Sequence, residues 1–153
     1  IVPYIAKIGQ KRLSAGQSKQ EIRLLYILSD LDEISDIIDR NLMHIAKKKI
    51  SSFSRFSDEG LGDIKEIHAA VYSNFTKVLN AFENWDKDAA EEVFRSKPAV
   101  RTLAAGLKQK HIARLHANLK ESIESSGLHM DVLDQYTRIN SMVADMGRVI
   151  SQD

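Results

Sequence analysis

Apolar side chains recur every three or four positions along most of the chain, which is the spacing of one side of an α-helix. The longest run is formed by Leu24, Ile27, Leu31, Ile34, Ile38, Leu42 and Ile45. A second run begins at Leu61 and continues to Phe82. The pattern predicts long helices that pack together through these apolar sides.

Residues that commonly cap helices mark where three of the predicted helices begin. An N-cap side chain accepts a hydrogen bond from a free backbone N–H, and a Glu three positions later can bond the N-cap in return. Capping boxes of this kind are expected at Ser18 with Glu21 and at Asp88 with Glu91, and a single N-cap at Ser57 or Asp58.

Residues that interrupt helices supply the remaining boundaries. Gly16 is expected to separate a first short helix from the long one, and the ESSG sequence at 124–127 to separate the last two. Pro98 is expected to kink the helix that contains it. The predicted helices are residues 3–14, 18–50, 58–84, 88–122 and 128–150.

The composition supports one all-α domain. Of 153 residues, 43% are hydrophobic, and the chain has two prolines and seven glycines. This is enough apolar material for a single core, and long helices joined by short loops pack as antiparallel neighbours. We therefore predict an antiparallel helix bundle.

Charge and cysteine content narrow the classes of function. The 22 basic and 21 acidic residues leave a net charge of +1, which argues against nucleic acid as a partner. No apolar run is long enough to span a bilayer, and no signal peptide is evident. Because cysteine is absent, a reducing compartment is favoured and we expect a cytoplasmic location. The chain begins with Ile1, and we expect it to be a piece of a longer protein.

One side of the long N-terminal helix is strongly acidic. Within LSDLDEISDIID, residues 28–39, Asp32, Asp36 and Asp39 fall within about 60° of one another on a helical wheel, and Asp30 points the opposite way. Arg40 can pair with Asp36, but the other two acids have no basic residue one turn onward. Oxygen ligands suit a hard cation, so we predict Asp32 and Asp36 as metal ligands, with Asp39 a weaker third. A solvated charged face remains the alternative.

Other catalytic and metal-binding patterns are missing from the sequence. His111 and His116 lie about 140° apart on a helix, so one metal ion cannot bind both, and they are expected to be surface or packing residues. No Glu-x-x-His pair, Gly-rich phosphate loop, nucleophile elbow or cysteine nucleophile occurs. His129 and Asp131 are explained equally well by capping or packing. We therefore expect a protein that is not an enzyme.

Two stretches of the chain align with each other at an offset of 105 residues. Residues 26–39 placed over residues 131–144 pair Ile27 with Val132, Leu28 with Leu133 and Ile34 with Ile139. In this register, Asp32 corresponds to Thr137 and Asp36 to Ser141. The second copy, which also contains Asn140, keeps oxygen-bearing side chains but lacks the carboxylates.

Three stretches resemble a known family. DLDEISDIIDRN, residues 30–41, resembles the signature helix of PhoU-like domains, with Asp32 and Asp36 at its two acidic positions. Residues 55–71 and 121–141 resemble the PhoU-like domain appended to bacterial sodium/phosphate cotransporters. The resemblance implies two three-helix repeats packed as one helical domain. Residues 1–52 would form a first repeat that is incomplete, and residues 53–153 a second repeat.

The resemblance also implies a function. It suggests a noncatalytic regulatory domain, possessing a divalent or trivalent metal ion, that modulates phosphate uptake at the inner face of the bacterial plasma membrane. Its partner would be a membrane transporter domain in the same or another chain. A metal-dependent helical-bundle enzyme and a standalone dimeric phosphate-signalling adaptor remain alternatives. We also expect a homodimer, formed through Ile5, Ile8 and the apolar stripe from Leu24 to Ile45.

Overall fold

The computed structural model describes Tyr4, Lys7 and residues 13–152. These residues form helices without any strand, which confirms the all-α prediction. No helix in this part of the chain is long and apolar enough to cross a membrane. In order, the elements are α1 (Ala15–Asp36), a π-helical segment (Ile37–Leu42), α2 (Met43–Ser51), α3 (Asp58–Asn84), α4 (Lys87–Arg95), α5 (Lys97–His116), α6 (Lys120–Glu124) and α7 (Ser126–Ser151).

The long N-terminal helix begins earlier than the sequence indicated. Ser14 is its N-cap, because its Oγ accepts from the Gln17 N–H at 3.3 Å and the Gln17 side chain accepts from the Ser14 N–H at 3.0 Å. The predicted capping box at Ser18 is therefore wrong, and Gly16 lies inside the first turn instead of interrupting the helix. Most of the predicted 3–14 helix lies outside the described residues. Of its described residues, Tyr4 and Lys7 are helical, and Leu13 and Ser14 are not.

The middle of this helix contains a feature that the apolar spacing did not predict. From Ile37 to Leu42 the backbone is π-helical, and this segment continues directly into α2. The wider turn changes the direction of the side chains that follow. As a result Ile37 is 2% exposed and packs in the core, while Ile38, which was expected in the core stripe, is 46% exposed.

The third predicted helix is confirmed at both ends. Ser57 is the N-cap of α3, and its Oγ accepts from the Gly60 N–H at 3.1 Å. At the other end, Trp85 adopts a left-handed conformation with φ of 50° and terminates the helix after Asn84.

The predicted helix over residues 88–122 is wrong, because three shorter helices replace it. Asp86, not Asp88, caps α4, and its side chain accepts from the Ala89 N–H at 3.0 Å. Pro98 lies in the first turn of α5, where its missing N–H costs no helical hydrogen bond, so it begins a helix instead of kinking one. Asn118, with φ of 57°, separates α5 from the short α6.

Helix α7 forms the centre of the bundle, and α1, α3, α4 and α5 pack around it. The long helices alternate in direction along the chain. Asn41 bonds Gln135 at 2.8 Å while Arg23 reaches the Gln152 carbonyl, so the long N-terminal helix is antiparallel to α7. Helix α7 contributes more fully buried apolar residues than any other helix, namely Leu133, Val143, Met146 and Ile150.

Candidate functional site

The predicted metal ligands Asp32, Asp36 and Asp39, called the acidic face below, are all exposed to solvent. Asp36 pairs with Arg40 across one helical turn, with 3.3 Å between the carboxylate oxygen and Nε. Such an exposed pair contributes little to stability. The acidic face is therefore an outward surface of α1 and the π-helical segment.

The structure neither groups these acids into a cation site nor tests whether they bind one. Among the residues that it describes, no three His, Cys, Asp or Glu side chains are placed to hold a metal ion. Asp39 lies within the π-helical segment, so the helical wheel that groups it with Asp36 does not apply exactly. The metal site remains a prediction.

The corresponding residues of the second copy have structural roles. The Thr137 and Ser141 hydroxyls donate to backbone carbonyls of α7, at 2.8 and 3.1 Å. Asn140 is buried, and its side-chain oxygen accepts from the Asn74 side chain at 2.9 Å. The Thr137 and Ser141 hydroxyls are therefore bonded within their own helix, and Asn140 connects α7 to α3.

An apolar groove runs between the long N-terminal helix and α3, with α7 as its floor. Its volume is about 370 Å³. His68 contributes a ring that stacks on Tyr72 and meets Tyr136 edge-on, with centroid distances of 5.8 and 5.7 Å. The lining residues are Ile34, Ile38, Leu42, His68, Val71, Tyr72, Phe75, Tyr136 and Ile139.

The acidic face lies on the outer side of the same helix. Asp32 points about 160° away from the groove residue Ile34 on a helical wheel, and the three acids are not among the residues that line the groove. Apolar grooves between helices are a common binding site for an amphipathic helix. The groove is therefore the candidate interaction site.

A buried polar cluster lies near the N-terminal end of α3. Arg114 of α5 pairs with Asp63 of α3, and both side chains are almost completely covered. The His129 Nε2 lies 3.2 Å from the Gly60 carbonyl oxygen and 3.6 Å from the Asp63 carboxylate. The His111 ring stacks on that of His129 with centroids 4.4 Å apart. The cluster thus connects α3, α5 and α7.

The two imidazoles of this cluster are held in the neutral form. Burial lowers the pKa of His129 to about 4, and the neighbouring His111 and Arg114 add to the effect while Asp63 opposes it. Burial also lowers the pKa of His111, whose Nε2 lies 2.9 Å from the Ser126 hydroxyl. A neutral, stacked pair of buried rings indicates a packing role.

Sequence reasoning found the separate histidines but missed the cluster. His111 and His129 are buried, so packing is the correct alternative for both, and His116 is exposed. Asp63 and Arg114 lie 51 residues apart, and no spacing along one helix connects them. Only a weak sequence signal pointed to this ion pair, because Asp63 and Arg114 each lie between the apolar positions of their own helix.

Asp30 lies on the other side of α1, as the helical wheel predicted. It lines an open cleft together with Asp145 of α7. Partial burial raises the pKa of the Asp30 carboxyl to about 6, and the charge of Asp145 adds to this effect. Asp145 itself is paired with Lys97 at 3.2 Å. Both acidic and basic side chains line this cleft, so its charge favours neither an anionic nor a cationic ligand.

The chain is similar to bacterial proteins with a phosphate-related name. It is 31% identical over 139 residues to the Salmonella typhimurium protein named "Putative inorganic phosphate export protein YjbB", covering 91% of this chain and 26% of that protein. The protein of the same name from Escherichia coli K12 is 29% identical over the same length. The chain thus spans about a quarter of the length of these curated relatives. No family model and no solved structure matches it.

Proposed function

We propose that the chain is a PhoU-like, noncatalytic regulatory domain that acts on a phosphate-transporting membrane protein. The observation that carries the proposal is the similarity of almost the whole chain to one quarter of proteins named for phosphate export. A region of this size within a longer transport protein is suited to a domain that controls transport carried out elsewhere in the polypeptide.

The surface of the bundle supports this role. Its distinctive external features are an apolar groove and the acidic face, and an exposed apolar groove is typical of a protein interaction site. The membrane-spanning partner is a transporter of the exporter or sodium/phosphate cotransporter type, in the same or another chain. The domain acts at the inner face of the bacterial plasma membrane.

A metal ion is the second part of the proposal. Asp32 and Asp36, with Asp39 as a weaker third ligand, would bind a divalent or trivalent cation through carboxylate oxygens. Three exposed acids on successive turns support this, because only Asp36 has a basic partner one turn away. The cation would offset their mutual repulsion.

Metal content tests this part. Protein purified without chelator is expected to contain metal in stoichiometric amount by elemental mass spectrometry, and Asp32→Ala/Asp36→Ala is expected to lose it. Asp131→Ala/Glu92→Ala, which removes two exposed acids elsewhere, is the matched control and should retain the metal. Absence of metal from the wild-type protein would show that the acidic face is a solvated surface.

Phosphate export by the Salmonella relative tests the regulatory role. Its matched 139-residue region is deleted in one strain and replaced by this chain in another, and efflux of labelled inorganic phosphate is measured. We expect deletion to change the efflux rate by roughly fivefold or more, as allosteric coupling commonly does, and the replacement to reverse the change. Equal efflux in all strains at equal protein abundance would contradict the proposal.

A further inference from the structure

The end of α2 and the loop that follows it carry large apolar side chains with little cover. Ile50 is 73% exposed, Phe53 is 90% exposed and Met43 is 47% exposed. On a helical wheel, Met43 and Ile50 both point about 140–160° away from Ile45, the residue of α2 that packs in the core. These apolar side chains therefore form the outer side of α2, and the loop adds Phe53 at its end.

The backbone conformation of Phe53 is unusual for so large a residue. Its φ is 54°, in the left-handed region that glycine or asparagine commonly occupies at the end of a helix. Trp85 adopts the same conformation, but its ring packs on that of Phe82 with centroids 5.7 Å apart. The ring of Phe53 is in no ring contact that the described residues form, and it lies in solvent. Neither the turn nor packing within the domain therefore accounts for a phenylalanine at this position.

Positive charge is concentrated in the same segment. Residues 40–57 contain five of the 22 basic side chains and none of the 21 acidic ones. Lys47 and Lys48 are exposed, and neither is in an ion pair among the residues that the structure describes. On the helical wheel, Lys47 lies within about 60° of Ile50. The basic tip, as this surface is called below, consists of Met43, Lys47, Lys48, Ile50 and Phe53.

The acids closest in sequence after the basic tip have partners of their own. Asp58 and Glu59 lie in the first turn of α3, where the helix dipole favours negative charge. Both line a small cleft together with Arg55. The charge of Arg55 is therefore offset locally, and the outward positive charge of the tip is that of Lys47 and Lys48.

Exposed apolar side chains beside lysines are the combination that binds an anionic lipid surface. Lipid phosphates attract the lysines, while aliphatic and aromatic side chains enter the boundary between headgroups and acyl chains. A nucleic acid would attract the lysines but would leave Ile50 and Phe53 in water. A second copy would cover the apolar side chains but would bring its own lysines close to those of the first. Of these three partners, anionic lipid matches both properties of the tip.

We propose that the basic tip binds the anionic lipid surface of the membrane that contains the transporter, a proposal that rests on the location proposed above. Ile50 and Phe53 enter the headgroup region, and Lys47 and Lys48 contact lipid phosphates. Because the domain is held beside this membrane, even a weak contact is populated. The contact orients the bundle with the end of α2 toward the lipid. Without lipid, the same side chains are available to a second copy, so the two partners compete.

Vesicle flotation with the full chain tests the apolar part of the contact. The chain is expected to float with vesicles of phosphatidylglycerol and phosphatidylcholine in equal parts, and not with vesicles of phosphatidylcholine alone. Ile50→Ser/Phe53→Ser should weaken binding by about tenfold or more, because two large side chains no longer leave water. Ile22→Ser/Leu79→Ser changes exposed apolar residues of α1 and α3 and is the matched control, which should bind like the wild type.

Charge reversal tests the contribution of the lysines. Lys47→Glu/Lys48→Glu should weaken binding to the anionic vesicles by about tenfold or more at low salt, and added salt should reduce this difference. Lys19→Glu/Lys77→Glu makes the same change of net charge at exposed positions of α1 and α3 and should weaken binding much less. Circular dichroism melts of all variants establish that they are folded.

A fluorescent side chain separates insertion from attraction to the surface. Phe53→Trp/Trp85→Phe moves the single tryptophan of the chain to the basic tip. Its emission should shift to shorter wavelength when anionic vesicles are added, and lipids brominated on their acyl chains should quench it. The parent protein, whose Trp85 lies at the far end of α3, should show neither change.

The outcomes separate this inference from the proposed function. If anionic vesicles do not bind, or if the control variants weaken binding as much as the tip variants, the inference is overturned even when deletion of the domain changes phosphate efflux. If the tryptophan at the tip does not respond, or if duplex DNA binds the same lysines as tightly as vesicles do, the tip is a polyanion site and the inference is wrong. A dimer formed through the tip that vesicles do not displace would show that a second copy is the occupant. If the tip binds vesicles while efflux does not depend on the domain, the inference stands and the regulatory proposal fails.

Discussion

The imidazoles of His111 and His129 show how strongly burial controls single residues in this protein. Both side chains are at most 2% exposed, and they stack inside a cluster that also contains the Asp63–Arg114 ion pair. Removal of one member of a buried ion pair leaves the other charge without compensation, which is strongly destabilising. The cluster therefore fixes the relative positions of α3, α5 and α7 through polar contacts that apolar packing alone would not specify.

His129 should contribute less to stability in mild acid. Its pKa is about 4 in the folded protein, against an ordinary value of 6.5, so the unfolded chain binds more protons at this residue between these pH values. The contribution of His129 to the free energy of unfolding should therefore fall by about 3 kcal/mol as the pH decreases from 6.5 to 4. Asp30 acts in the opposite direction below about pH 6, because the raised pKa of its carboxyl makes the folded protein bind more protons there than the unfolded chain. Urea denaturation at a series of pH values measures this dependence.

A variant of the same residue isolates its contribution. His129→Gln removes the titrating group but keeps an N–H that can donate to the Gly60 carbonyl, so the variant should lose less stability than the wild type between pH 6.5 and 4. The remaining pH dependence comes from His111 and, with the opposite sign, from Asp30. The exposed His116→Gln should keep the wild-type slope. Identical slopes for the two variants would show that His129 does not control the acid sensitivity.

At the scale of helices, apolar spacing predicted the existence of the long elements better than their interruptions. The spacing fixed α3 and α7 to within about two residues, because each has one apolar side that packs along its full length. It could not reveal the π-helical segment, because Ile37 and Ile38 are both apolar and only tertiary packing decides which one is buried. Likewise, Asp86 and Asp88 are both good caps, and the sequence alone favoured the wrong one.

The contact between α4 and α7 depends on a glycine. A Cβ at Gly147 would lie 2.6 Å from the Ala90 carbonyl oxygen and 3.2 Å from the Phe94 amide nitrogen, both backbone atoms. Gly147→Ala should therefore separate the helices and destabilise the protein by about 1–3 kcal/mol or more. Gly106→Ala is the matched control, since nothing lies within 4 Å of its added Cβ.

The two substitutions should have opposite effects in thermal denaturation. Gly106→Ala should stabilise the protein by about 0.5–1 kcal/mol, because alanine loses less backbone entropy than glycine in a helix. If Gly147→Ala also raised the melting temperature, α4 would be able to move away from α7 at no cost. The close approach of these helices would then not be required for the fold.

At the scale of the whole molecule, the sequence located the acidic residues but not the apolar groove. Asp32, Asp36 and Asp39 are all exposed, and the wheel groups Asp32 with Asp36 because it needs only the local geometry of α1. The groove is formed by three elements that are distant in sequence, and its walls and floor exist only after α1 and α3 pack on α7. The groove could therefore be identified only from the folded structure.

Part of the surface that was expected to form the homodimer is covered within the chain. Ile27, Ile34 and Ile45 of that stripe are buried within the chain, and Ile5 and Ile8 lie outside the described residues. Large apolar residues remain exposed at the end of α2 and in the loop that follows it, where Ile50 is 73% exposed and Phe53 is 90% exposed. Self-association is therefore expected to use this end of the bundle.

Sedimentation equilibrium at micromolar concentrations tests this expectation. We expect the wild-type chain to dimerise, and Ile50→Ser/Phe53→Ser to weaken the dimer at least tenfold, because burial of large apolar side chains supplies most of the association free energy. Ile112→Ser/Ile123→Ser removes exposed apolar side chains at another part of the surface and should leave the dimer intact. A wild-type chain that stays monomeric throughout this range would contradict self-association, and a dimer unaffected by the first pair would place the interface elsewhere.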